Sequence, residues 1–209
     1  MYTTLRKIRE HRPCPERYRK LYKSLGGVKT YGEDTIITLE QIIDYNGLDD
    51  ALWALRACNG SNVEKFVRLL ACDYAERVLY IFEEEYPYDV RPRRAIEVSR
   101  KYAVGKATAK ELQEAYFDAR FAMYTVEEEN ASKRNAAEDA ALAASIAADL
   151  FTLNMVFSDP IVEDVAKVAR YAVSLYAGKN AEERGKIKEI EKEWQEYHLR
   201  ETLKTFNEE

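Results

Sequence analysis

A stretch near the middle of the chain, residues 66–82 (FVRLLACDYAERVLYIF), constrains the fold more than any other part of the sequence. Thirteen of its seventeen residues are apolar, and they fall on all sides of a helical wheel. A helix of this kind is buried on most of its sides. The stretch is too short, and with four charged side chains too polar, to cross a membrane. It therefore predicts a buried central helix over about residues 62–86.

Local signals in the rest of the sequence also predict helices. Only eight Gly and five Pro occur among 209 residues, so little of the chain is left for loops. Capping boxes, in which a Ser or Thr is followed three residues later by Glu or Gln, begin at Thr38, Ser61 and Thr108. Asp159-Pro160 predicts a further helix start, and Thr35-Ile36-Ile37 predicts a short extended segment. We expect an all-α protein, a compact array of about eight or nine helices around the central one.

Two later helices have core positions that the spacing predicts. In a helix over about residues 109–126, the apolar residues in register are Leu112, Tyr116, Ala119 and Met123. Residues 136–157 are rich in Ala, which favours a helix and lets a neighbouring helix approach closely.

Charge is distributed unevenly along the chain. Residues 1–30 hold nine Lys and Arg against two Glu, a net charge of +7; the remainder holds 23 against 35, a net charge of −12. We therefore expect a basic N-terminal helical arm over residues 1–30, a helical core over 38–157, and C-terminal helices over 158–209 packed on the same domain. The arm either docks on the acidic body or meets an anionic partner.

The sequence contains no motif for catalysis or metal binding. Only two histidines occur, His11 and His198, and neither belongs to a paired ligand motif. No G-x-S-x-G, P-loop or G-x-G-x-x-G is present. We expect a protein that is not an enzyme and needs no cofactor or metal. A metal-dependent helical hydrolase using clustered acids, such as residues 83–85 and 127–129, is the least supported alternative.

The same patterns bear on location and on nucleic-acid recognition. Three cysteines without metal spacing, and no apolar leader at the N-terminus, favour the cytoplasm. Residues 38–58 resemble a helix-turn-helix in outline, but the second helix is apolar rather than basic, so we expect no reading of duplex DNA.

Charged residues near apolar helices are the remaining candidates for a binding site. These residues are Trp53, Arg56, Asp73, Arg77, Arg91, Arg93 and Arg94. Asp73 and Arg77, four residues apart, are expected either to form an internal ion pair that fixes helix register or to border a polar pocket. In the second case the arginines would bind a carboxylate or phosphate bidentately, and nearby tyrosines could stack on a base.

Four segments of the chain resemble a known family. These are DDALWALRA (49–57), LLACDYAERVL (69–79), RPRRAIEVSRKYAVGKATAKEL (91–112) and the Ala-rich segment 136–148. They resemble the immunity proteins numbered five of polymorphic toxin systems, which also occur in phages, and the resemblance covers about residues 38–148.

The resemblance implies a non-enzymatic inhibitor that neutralises a toxin or a host-defence component by binding it. It implies no catalytic residues. The alternative for a phage protein is anti-defence by sequestration of a nucleotide-derived signal in an Arg- and Tyr-lined pocket. An inhibitor predicts an exposed aromatic or acidic patch, and the sequence leaves homo-oligomerisation open.

Overall fold

The computed structural model describes residues 1–58, 62–127, 130–149 and 161–208. In these residues it contains eleven α-helices and one two-stranded sheet, which confirms the all-α prediction. Contacts between Cα atoms divide the chain into unit 1, residues 1–63 with 196–209, and unit 2, residues 64–195. The three segments inferred from the distribution of charge stay a prediction.

Unit 1 is built from short helices and a small antiparallel sheet. Its elements are β1 (Tyr2–Thr4), α1 (Leu5–Glu10), α2 (Pro15–Ser24), α3 (Val28–Tyr31), β2 (Ile36–Thr38), α4 (Leu39–Asn46), α5 (Leu48–Ala54) and a 3-10 turn (Leu55–Ala57). In the sheet Tyr2 lies opposite Thr38, and Thr4 lies opposite Ile36. The extended segment expected near Ile36 is therefore confirmed.

Local chemistry explains where the helices of unit 1 begin and end. The Thr38 hydroxyl accepts a hydrogen bond from the Gln41 amide, and the Gln41 side chain accepts one from the Thr38 amide, so the predicted capping box begins α4. Pro15 is the first residue of α2, where its missing N–H group costs nothing. Gly47, at φ +90°, separates α4 from α5, and this left-handed conformation suits glycine.

Unit 2 contains the longer helices. These are α6 (Val63–Glu85), α7 (Arg91–Ala103), α8 (Ala109–Tyr124), α9 (Ala131–Ala147), α10 (Ile161–Ala177) and α11 (Ala181–Glu208). The first residue of α6 is counted with unit 1, and α11 passes from unit 2 into unit 1 after Gln195. Helix α9 packs against α7, α8 and α10, and α7 also packs against α8.

Helix α6 is the buried helix that the apolar stretch predicts. Twelve of its residues are buried, including Phe66, Tyr74 and Phe82. Its exposed positions, such as Glu76 and Tyr80, lie on a narrow strip. One charged side chain is also buried: the guanidinium of Arg68 is completely inaccessible. The prediction of a buried helix over about residues 62–86 is confirmed.

Helix α8 buries a different line of residues from the expected one. Its buried residues are Leu112, Ala115, Ala119 and Ala122. Tyr116 and Met123, which the spacing also placed inside, are only half-buried. Three alanines in this line let α8 lie close to its neighbours, which displaces the larger side chains to the flanks.

Helix α9 follows the expectation for an Ala-rich segment in its packing, but it begins at Ala131 and ends at Ala147, whereas the sequence predicted a helix over 136–157; residues 150–157 lie outside the described residues. Seven of its alanines are buried, and it packs closely on neighbouring helices. The capping box at Thr108 is also present, with Glu111 as its second member. The caps expected at Ser61 and Asp159-Pro160 lie outside the described residues, as does the boundary between residues 157 and 158.

The described residues hold more helices than the eight or nine expected. The difference arises in unit 1, where residues expected as a connector form the single-turn helix α3 and where the basic arm counts as two helices, α1 and α2. The interruption between them, at residues 11–14, is the one that Pro13 and Pro15 predict. Arg12 has a positive φ of 52°, and Pro13 and Pro15 follow it, so a continuous helix is excluded there.

Candidate functional site

Two of the residues proposed from the sequence, Trp53 and Arg56, lie in unit 1 and contact each other. The Arg56 Nε donates to the Trp53 carbonyl at 3.0 Å, and the guanidinium carbon lies 4.6 Å from the centre of the Trp53 ring. Burial, together with the positive charge of Arg56, lowers the pKa of His11. These contacts describe a cation–π pair at the end of α5.

Asp73 and Arg77 lie on α6, and the structure shows ion pairs to other helices for both. Asp73 accepts from Arg100 of α7 at 2.8 Å. Arg77 lies 3.2 Å from Glu191 of α11, with its guanidinium 4.1 Å from the Trp194 ring centre. The two residues thus connect α6 to two different neighbours, and Arg77 is partly exposed rather than buried with Asp73.

Burial dominates the electrostatics of Glu191. Its side chain is almost completely inaccessible, and desolvation raises the pKa of the carboxyl. The positive charge of Arg77 opposes this shift but does not cancel it. The Arg77–Glu191 contact is therefore a half-buried ion pair in which removal of the arginine leaves a buried carboxylate.

The three arginines at the start of α7 all have acidic partners. Arg91 binds Asp89, with its Nη2 2.6 Å from the carboxylate. Arg93 binds Glu83 through two hydrogen bonds of 2.6 Å each. Arg94 lies 3.5 Å from Asp118 of α8. Because each guanidinium already faces a carboxylate, the cluster is not an open site for an anionic ligand.

An exposed line of aromatic residues runs along α8, and sequence reasoning did not single it out. Phe117, Phe121 and Tyr124 are spaced by four and three residues, so they share one face of the helix. Their exposed fractions are 47%, 61% and 65%. This face is opposite the buried alanine line, since each aromatic residue follows a buried alanine by two positions.

The loop between α6 and α7 lies beside the carboxyl end of α8. The Tyr86 hydroxyl donates to the Glu127 carbonyl at 2.9 Å and accepts from the Glu127 amide at 2.7 Å. Arg91 donates to the Thr125 hydroxyl at 2.9 Å. These bonds fix the loop that carries Tyr88, which is 97% exposed.

The exposed apolar residues of α8 and of this loop form what we call the aromatic surface. Its members are Tyr88, Val90, Phe117, Phe121 and Tyr124. Fully burying five such side chains would remove on the order of several hundred Å² from water. A shallow cleft of about 530 Å³, lined by residues 85–91, adjoins it on the loop. Exposed apolar patches of a few hundred Å² often mark binding sites on monomeric proteins.

The spacing of the aromatic residues in the sequence indicates a helix face, but only the packing of α8 shows that this face is exposed. Aromatic residues at positions 117, 121 and 124 have the spacing of a helix face, but so do the residues 112, 116, 119 and 123. Only the structure shows that the alanine line faces inward. None of the seven residues proposed from the sequence belongs to the aromatic surface.

The part of the chain that the structure describes offers no group of three or more His, Cys, Asp and Glu side chains placed to hold a metal ion. In the same residues no helix is both long enough and apolar enough to span a membrane.

Residues 62–148 match the family described as Imm-5 like putative immunity protein. This match confirms the family resemblance over these residues and supports an immunity-like role. It begins at residue 62, so the resemblance inferred for residues 38–61 stays a prediction. A search of curated proteins and a search of solved structures found no match. The matched region contains the whole aromatic surface.

Proposed function

We propose that the chain is an inhibitor of the immunity type, which neutralises a protein toxin by binding it through the aromatic surface. The observation that supports this proposal most directly is the line of Phe117, Phe121 and Tyr124, exposed on the outer face of α8. A few residues supply most of the binding free energy in protein–protein interfaces, and aromatic side chains are enriched at the centres of these interfaces. The surface lies within the residues that match the immunity family.

The setting of the aromatic surface also suits a protein partner. Asp118 and Glu114 lie on the same side of α8 as the phenylalanines, and their ion pairs to Arg94 and Lys110 are long and exposed. Such pairs contribute little to stability and are available at the rim of an interface. The partner that complements this arrangement has an apolar depression edged by basic side chains.

Sequestration of a nucleotide-derived signal has less support. That function requires arginines that can face the phosphates of the ligand. Arg91, Arg93 and Arg94 instead face carboxylates of this chain, and displacing those carboxylates would cost part of the binding free energy. We therefore favour a protein partner over a nucleotide.

Co-expression with candidate toxins, chosen from the genes encoded beside this one, tests the proposal. The wild-type chain should restore growth of cells that produce the toxin, and the purified proteins should form a stable complex. Phe121→Ala should weaken the complex about 30-fold, which corresponds to about 2 kcal/mol, because a central aromatic residue of an interface contributes this much.

A matched control uses Tyr197 in α11, which is 63% exposed and lies outside the aromatic surface. Tyr124→Ser should weaken binding, whereas Tyr197→Ser should leave both growth rescue and affinity unchanged. If the toxins encoded beside the gene neither bind this protein nor are neutralised by it, the proposed inhibitor function is wrong. If binding occurs but tolerates Phe121→Ala and Tyr124→Ser together, the aromatic surface is not the interface.

A further inference from the structure

The outer face of α2 carries positive charge that the fold does not neutralise. Arg19, Lys20 and Lys23 are exposed, and spacings of one, three and four residues place them on one side of the helix. Lys29, in α3, and Arg12, before α2, are also exposed. Within the described residues none of these five side chains has a carboxylate at ion-pair distance.

Three other cations of the N-terminal arm, by contrast, form ion pairs with carboxylates of unit 1. Arg6 binds Asp34 at 2.6 Å, Arg9 binds Glu33 at 2.5 Å, and Arg17 binds Asp50 at 2.6 Å. The nearby acids of unit 1 thus already have guanidinium partners, although the three arginines are themselves exposed. The two sets of cations on the arm therefore differ in pairing and not in exposure: one set has carboxylate partners, and the other has none among the described residues.

The fold of the arm holds the unpaired set in place. Leu21 and Leu25 are buried on the opposite side of α2, which packs against α4. Gly26 and Gly27, both with positive φ, turn the chain sharply into α3, and the Gly27 amide donates to the Tyr22 carbonyl at 2.7 Å. This turn keeps Lys29 next to the end of α2.

Stabilisation of the helix does not account for these charges. Cations near the carboxyl end of a helix interact favourably with its dipole, and Lys23 has this position. Arg19 and Lys20 lie in the middle of α2, where the dipole gives no such benefit. The only acid on the same face is Glu16, in the first turn.

From this arrangement we propose that the outer face of α2, with Lys29 and Arg12, binds the phosphate backbone of nucleic acid without sequence preference. Clustered Lys and Arg that are not paired within a protein supply this kind of binding by releasing counterions from the phosphates. The absence of exposed apolar residues between the cations on α2 distinguishes this face from a membrane-binding helix, which needs an apolar side. The function goes beyond toxin neutralisation, because it uses different residues.

Fluorescence anisotropy with labelled 20-nucleotide RNA, single-stranded DNA and duplex DNA tests this proposal with the full-length chain. All three should bind at 50 mM KCl and weaken as salt rises, with a slope of log affinity against log salt of about −2 to −3, as expected for three to four phosphate contacts. The triple variant Arg19→Gln, Lys20→Gln, Lys23→Gln should lose at least tenfold in affinity and show a shallower slope.

A control variant separates the surface from the total charge of the protein. Arg134→Gln, Lys186→Gln and Lys204→Gln remove the same number of positive charges from solvent-accessible residues that already have acidic partners and lie outside the aromatic surface. This variant should bind nucleic acid within twofold of wild type. Both variants should keep the wild-type melting temperature, and both should still neutralise the toxin, so the two functions can fail separately.

Three outcomes would overturn the proposal. The first is no binding of any of the nucleic acids at 50 mM KCl, and the second is equal loss of affinity in the two variants. The third is binding of poly-glutamate, or of vesicles containing phosphatidylserine, as tight as that of RNA, which would make the face a surface for acidic proteins or membranes instead.

Discussion

Helices α6 and α8 of unit 2 both contain several aromatic and aliphatic residues, but they differ in which of these are buried. Helix α6 buries three of its four aromatic residues, Phe66, Tyr74 and Phe82, and buries the cation Arg68 with them. Helix α8 buries only Leu and Ala, and exposes Phe117 and Phe121. One helix puts charge inside, and the other puts aromatic rings outside.

The difference separates the residues that hold the fold from those that remain available to a partner. A buried side chain is fixed by its neighbours, so its loss is felt as a loss of stability. An aromatic residue on an outer face contributes little to folding, because water still surrounds most of it in the native state. If this contrast is correct, chemically identical substitutions in α6 and α8 should have unequal effects.

A pair of Phe→Ala substitutions gives the strongest test of this contrast between α6 and α8. Phe82→Ala in α6 should lower the free energy of unfolding by about 3–5 kcal/mol, because it leaves a cavity in a fully packed region. Phe121→Ala in α8 should change it by less than about 0.5 kcal/mol. Urea unfolding followed by circular dichroism measures both. Similar losses in the two variants would show that α8 uses its outer face for folding.

The next largest effect concerns the buried charge of α6. Arg68 donates to the carbonyls of Ala147 and Asp149 at 3.3 Å, and its guanidinium lies 5.1 Å from the Tyr102 ring centre. Its Nε has no hydrogen-bond partner among the described residues, and burial lowers the pKa of its guanidinium. Arg68 thus fills space at the carboxyl end of α9. Its hydrogen bonds offset only part of the free energy that desolvation of the guanidinium costs.

Two substitutions distinguish volume from charge at this position. Arg68→Ala should destabilise the protein by about 3 kcal/mol, because it opens a cavity. Arg68→Met fills much of the same volume without a buried charge, and should cost no more than about 1 kcal/mol. Unfolding in urea gives both values. Equal and large losses would mean that the hydrogen bonds to the two carbonyls, and not the volume, are what α9 requires.

The sequence predicts the buried face of α6 but not that of α8. Helix α6 was predictable because its apolar residues cover all sides, and such a pattern leaves one interpretation. The caps at Thr38 and Thr108 were predictable because a capping box is a local structure. In α8 two residue lines fit a helical period equally well, and packing against other helices decides between Ala115 and Tyr116 as the inner position.

Ion-pair partners were the other feature that the sequence could not supply. The sequence predicts either an ion pair between Arg77 and Asp73, four residues apart, or a polar pocket that both border, because a sequence shows only local spacing. The observed partner of Arg77, Glu191, is separated from it by 114 residues. The same limit applies to Arg94 and Asp118, whose pairing depends on how α7 packs against α8.

A smaller effect, dependent on pH, is expected for Arg77→Ala. Burial raises the pKa of Glu191, so the folded state binds this proton more tightly than the unfolded state, and the contribution of Glu191 to stability falls as pH rises from about 4.5 through the raised pKa. Removing Arg77 takes away the charge that opposes the shift. The variant should therefore lose about 2 kcal/mol at pH 7 and less than about 1 kcal/mol at pH 4.

Urea unfolding at the two pH values measures this difference, and Glu191→Gln provides the control. In the double variant Arg77→Ala, Glu191→Gln no carboxylate remains at this contact, so the loss relative to Glu191→Gln should be the same at pH 4 and pH 7. A loss for Arg77→Ala alone that is independent of pH would mean that the stacking of Arg77 on Trp194 is its main contribution.

The smallest effect is expected at the exposed ion pair between Arg94 and Asp118, which is the counterpart on α8 of the Arg77–Glu191 pair. Both side chains are about half exposed and the closest atoms are 3.5 Å apart, so a double-mutant cycle of Arg94→Gln and Asp118→Asn should give a coupling free energy below about 0.5 kcal/mol. In the proposed toxin complex, Asp118→Asn should slow association and leave dissociation nearly unchanged, because a charge at the rim of an interface mainly steers the encounter. Stopped-flow binding at low and high salt separates these rates. Faster dissociation would place Asp118 inside the interface with Phe121, and would extend the binding face of α8 to its polar residues.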